Sequence, residues 1–164
     1  MRWIDGSDID IKNMTGKTVC EKLTQELWDY DCSQWLKCSN FIQVAAFLID
    51  FDTELQMEGI FTFLENSIGY YASVVINSFK AIGDNNDANI LSEICYLASL
   101  DIMREEFSDK SYQEYDISSF HENHKLREEV TDKIEKLESQ LYLNTGIDIW
   151  QLLFNYLDFH IQML

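Results

Sequence analysis

No proline occurs anywhere in the 164 residues, and there are only six glycines. Proline breaks a helix by removing a donor and clashing with the preceding turn, and glycine weakens it through its backbone freedom. A chain with so little to interrupt helices, apart from polar turns, is expected to be all-α. A chain of this length suits one domain and buries about 68–70% of its unfolded surface, enough for a core without staples. Hydrophobic residues make up 46%, with ten Phe, eight Tyr and four Trp. The expectation is therefore a single acidic helical domain over 1–164, a compact bundle of about six to eight helices.

Periodicity places the helices. From residue 15, Val19, Leu23 and Leu27 recur every four residues, a helical stripe that the polar run 31–38 breaks. Ser39 or Asn40 can cap a second helix to about residue 56, with Phe41, Val44, Ala45, Leu48 and Phe51 inward. A short third helix covers 58–66, and a fourth covers 70–82, with Gly83 placed as its C′ residue. Asn86 or Asp87 caps a fifth to about 99, while 101–118 reads as a short helix plus a loop. A long amphipathic helix is expected over 120–143. The last, 148–163, is apolar nearly all round, so it is expected at the centre of the core or at a subunit interface. Residues 1–14 read as irregular and acidic.

Cys20, Cys32, Cys38 and Cys95 show no Cys-x-x-Cys spacing, and the acidic first ten residues are unlike a signal peptide. They read as reduced, mostly buried thiols of a cytoplasmic protein, and no apolar stretch reaches the length of a membrane span.

Charge bears on partners. Against 12 Lys and Arg stand 29 Asp and Glu, for a formal charge of −17, about twice the upper end of the ~2–8 usual for a small domain. Such a surface repels nucleic acid and anionic membrane and attracts basic protein surfaces. By segment, residues 1–65 carry −7, 66–83 carry +1, 84–116 carry −7 and 117–164 carry −4. In the last segment Glu129 with Lys133 and Asp132 with Lys136 are spaced to pair along a helix. The uncompensated acids are Asp50, Asp52, Glu54 and Glu58, then Asp84, Asp87, Glu105, Glu106, Asp109, Glu114 and Asp116. These form the expected partner-binding surface. Carboxylates one helical turn apart sit about 6 Å from each other, and DNA presents a phosphate every ~3.4 Å of axis on each strand. A helix-borne row can therefore offer a phosphate-like series to a basic groove.

Signals for catalysis and for metals are weak. Gly16-Lys17-Thr18 has the ending of a phosphate-binding loop, but Ile11 stands where its first glycine belongs. Residues 84–87 (Asp-Asn-Asn-Asp) open like a calcium loop, yet Ala88 follows where a ligand is needed. His121, His124 and Glu128 share a helix face, one ligand short of a structural zinc site. No nucleophile stands beside a base in a recognisable motif. The reading is a non-enzyme with no cofactor and no metal.

Gly59 is followed by Phe61 and Phe63, then Asn66 and Gly69, then Ala81-Ile82-Gly83 and a helix over 88–98. In this order residues 58–98 resemble a bacterial family long known as a domain of unknown function, which includes a DNA mimic. The match departs at Glu58-Gly59-Ile60, where a Gly-Gly-Phe-like start is expected. The resemblance implies that Phe61, Phe63 and Ile82 are core, that Asn66 caps, and that Gly69 and Gly83 serve turns. It further implies a cytoplasmic homodimer whose acidic surface occupies the DNA-binding face of a helix-turn-helix transcription factor and blocks operator binding. An immunity or antitoxin-type inhibitor of a basic nuclease remains the alternative, because both exploit acidic complementarity.

Overall fold

The computed structural model describes residues 1–106 and 126–164, of which 102–106 as backbone alone. Its α-helices are α1 (Gly16–Glu26), α2 (Cys32–Trp35), α3 (Asn40–Met57), α4 (Ile60–Glu65), α5 (Ala72–Ala81), α6 (Asn85–Glu106), α7 (Glu128–Glu138), α8 (Tyr142–Thr145) and α9 (Ile149–Gln162). Short 3₁₀ turns lie at Ile11–Asn13, Leu27–Asp29 and Ser67–Tyr71. Among the described residues, β pairing is limited to an isolated bridge between Arg2 and Asp8. The fold is all-α. Two of the helices, α2 and α8, are single turns, so the number of substantial helices is close to that read from periodicity.

The centre belongs to α3. From Phe41 to Asp52 all but Gln43 are buried, and a helix apolar on every side has to sit inside. α3 packs against α1, α2, α4, α5 and α9, and α5 carries α6, which in turn carries α7. Phe51 anchors the middle with edge-on contacts to Phe63 at 4.8 Å and to Phe79 at 5.5 Å. Gly83 takes φ 89°, the left-handed conformation that closes α5.

Four expectations change. Residues 1–14 are acidic, but they pack: Trp3, Ile4 and Ile11 are buried, and the Trp3 indole donates to Glu26 at 2.5 Å. α6 runs on past residue 99, because Asp101 is buried and extends its inward stripe instead of ending it. The expected helix over 120–143 is shorter in its described part: Arg127 is extended, α7 stops at Glu138, and a separate turn carries Tyr142 inward. Residues 120–125 lie outside the described residues. Finally, α9 is not central. It buries the narrow stripe Ile149, Leu153, Leu157 and Ile161 against α1 and α3 and leaves Phe159 exposed.

Candidate acidic interface

Helix starts account for much of the acidity. The first N–H groups of a helix have no partner within it and carry partial positive charge, so a carboxylate there is favourable twice over. Asp31, Asp84 and Asp148 cap α2, α6 and α9 from their own N-cap positions, accepting from Ser33 N, Asp87 N and Gln151 N. Others reach across the fold. Asp158 of α9 accepts from Gly16 N at 2.6 Å, Glu138 of α7 from Ile60 N at 2.8 Å, and Asp87 of α6 from Tyr142 N at 2.9 Å. Asp101 of α6 takes Arg127 N at 3.0 Å and an ion pair with its guanidinium. The Gly16-Lys17-Thr18 run is thereby explained. Thr18 completes a capping box with Thr15, and Gly16 lies so close to α9 that a Cβ would meet the Phe154 carbonyl oxygen at 2.4 Å.

Four of the acids expected on the partner-binding surface are inside the protein. Asp50, Asp52, Asp84 and Asp87 are 7%, 4%, 5% and 0% exposed. Helical spacing placed Asp50 on one face with Glu54 and Glu58, but α3 is enclosed so completely that only its last turns reach the surface. The Tyr142 hydroxyl donates to Asp52 at 2.5 Å and the Gln56 amide at 2.7 Å. Burial, then the neighbouring Asp84 charge, pushes the Asp87 carboxyl up to about 6. Asp84 accepts from Asp87 N through Oδ1, and its buried Oδ2 has no hydrogen-bond partner among the described residues. Burial, then the charge of Glu54, pushes Asp50 up to about 7. Asn66, read as a cap, makes no capping bond and instead donates to Glu54 at 2.7 Å. The side chains of Glu105 and Glu106, together with Asp109, Glu114, Asp116, His121 and His124, lie outside the described residues.

What reaches the surface is a corner where α3 ends, α4 begins and α7 passes. Glu58 is exposed and Glu54 half-buried at the end of α3. Glu138 bonds the first amide of α4, which brings the end of α7 beside Glu58 and Gly59. Along the outer side of α7, Glu128, Asp132 and Glu135 are exposed at successive helical turns. Sequence spacing had neutralised this face with lysines. In the structure Glu129 pairs with Arg127 at 2.8 Å, and neither Lys133 nor Lys136 forms an ion pair among the described residues. The row is therefore open. Hydrogen bonds to Asn66 and to Ile60 N hold Glu54 and Glu138 in place, so this part of the surface is pre-organised.

Among the described residues, no group of three or more His, Cys, Asp or Glu side chains could hold a metal ion, and no helix is long and apolar enough to cross a membrane. No curated protein and no solved structure matches the chain. A family does match, over residues 37–160. That span runs from the start of α3 almost to the end of α9, far beyond the 58–98 segment whose residues first suggested a relationship. The chain belongs to the DMP19-like protein family.

Proposed function

We propose that the protein is a DNA mimic: it binds the DNA-binding surface of a basic transcription factor, of helix-turn-helix type, and keeps operator DNA off it. The observation that carries this reading is the open carboxylate corner of α3, α4 and α7 on a chain of charge −17 in the DMP19-like family. Rows of carboxylates about 6 Å apart along a helix offer a basic groove the regular negative charge it meets on a DNA backbone. Fixed acceptors cost less to order on binding than free side chains do. The same reading makes the protein a homodimer, paired through the side of α9 that exposes Phe159, to face a two-fold-symmetric DNA reader.

The immobilised protein should capture a DNA-binding protein from a lysate of its native cell, and duplex DNA should release it. Simultaneous binding of duplex DNA and this chain by the captured protein would falsify mimicry. If the captured protein is instead a nuclease whose cleavage is blocked, the chain is an immunity-type inhibitor.

A further inference from the structure

An open cavity of about 390 Å³ lies where the last turns of α3 meet the segment joining α8 to α9. Asp52 and Gln56 line it from α3, with Tyr142, Asp148 and Trp150 opposite. Gly146, at φ 78°, turns the chain after α8 so that the start of α9 comes back beside Tyr142. Among the described residues, both charged groups in the lining are carboxylates, and no Lys or Arg lines it. Asp52 is 4% exposed, and its bonds come from a phenol and an amide, both neutral. A buried carboxylate supported by neutral donors alone lacks a counter-charge. Asp148 gives one oxygen, Oδ1, to Gln151 N and is otherwise exposed.

We propose that this cavity receives an arginine side chain of the protein partner. A guanidinium is flat, weakly hydrated and always charged. It can stack on an indole or phenol face while its N–H groups fork toward a carboxylate. Half-buried Trp150 supplies the ring and exposed Asp148 the carboxylate that the head group can reach, while buried Asp52, bonded by Tyr142, adds negative charge from behind. The pairing of an aromatic face with an acid parallels what an arginine meets on nucleic acid, a base face beside a phosphate. The volume falls within the ~300–1,000 Å³ of small-molecule sites and admits the stem as well as the head group. Asp52 and Gln56 share one face of the last turns of α3, and Glu54, two positions from each, points to another, so the cavity opens on a different side of that helix from the acidic corner. This inference rests on the mimic reading for its partner and names the contact that partner makes.

The test uses the whole protein and no partner. In an NMR titration with methylguanidinium chloride, the Trp150 indole N–H and Gly146 amide should shift saturably, at lower concentration than with methylammonium chloride of equal ionic strength. Asp148→Asn retains an N-cap acceptor and removes only charge. It should weaken binding about fivefold, roughly 1 kcal/mol, and Trp150→Leu at least as much. Acetyl-arginine amide should bind as well as free arginine. Tighter binding of free arginine by tenfold or more would mean a free amino-acid ligand and overturn the proposal. Shifts that never saturate and spread over all exposed acids, or a D148N protein that binds like the parent, would overturn it too. Saturable binding by a protein that captures no DNA-binding protein would sink mimicry and leave the guanidinium site standing. Capture that is unchanged by W150L would do the reverse.

Discussion

At Gly16 one hydrogen atom separates a helix start from a collision. A β-carbon there would press on the Phe154 carbonyl, a backbone atom that cannot swing away. Gly16→Ala should therefore cost about 1–3 kcal/mol, read as a lower denaturant midpoint. Asp50 and Asp87 define a second residue-level behaviour. Their carboxyls titrate near 7 and near 6 in the folded chain and near 3.9 when unfolded. Between those values the native state holds more protons than the unfolded one, so stability falls as pH rises. Melting temperature should drop from pH 5 to pH 8, the reverse of the usual effect of salt-bridged carboxylates. Asp50→Asn cannot ionise, so it should flatten the upper half of that curve and raise the melting temperature at pH 8. An Asp50→Asn protein with the parent's pH profile would show that Asp50 ionises freely.

Elements are joined end to side. α9 caps α1 through Asp158, α7 caps α4 through Glu138, and α6 caps α7 and α8 through Asp101 and Asp87. Each such bond fixes where one helix begins against the flank of another. Losing a side-chain cap costs about 0.5–2 kcal/mol. Asp158→Ala should fall in that range, and Asp158→Asn, which keeps an acceptor, should cost less. Amide exchange in the first turn of α1 reports it locally: faster exchange there with Ala and little change with Asn is the expected pattern. Equal exchange in both variants would mean that packing of α1 on α9, not the carboxylate, sets the start of the helix.

For the whole molecule, exposure decides which charges a partner can feel. Glu58→Gln with Asp132→Asn and Glu135→Gln removes three charges from the open corner. That triple variant should slow association with the captured protein by about tenfold or more at low salt. The loss should shrink at high ionic strength, where exposed charges are screened. The same number of exposed acids neutralised at Asp5, Asp8 and Asp10 should matter less. Equal effects from both sets would mean that bulk charge drives binding without any phosphate-like arrangement. Light scattering at micromolar concentration should give twice the monomer mass, and Phe159→Glu on the outward side of α9 should reduce it to one chain.

The helical class and most helix positions were legible in the sequence. They follow from local terms, namely the absence of proline, the four-residue recurrence of Val19, Leu23 and Leu27, and the glycine that closes α5 at position 83. The family resemblance was legible from the same kind of local signal, and Phe63 and Ile82, two of the residues that carried it, are core in this chain. Charge was visible as a total but not as a surface. Spacing says which carboxylates share a helix face, whereas tertiary packing says whether that face meets water. Asp50 and Glu54 are one turn apart on α3, yet the first is enclosed and the second reaches the surface. Asp101, in a stretch read as a short helix plus a loop, is a buried cap. On α7 the lysines looked like partners and form no pairs with their acids. Burial and long-range hydrogen bonds join residues such as Asp158 and Gly16, 142 positions apart, and no local pattern encodes a contact over that distance.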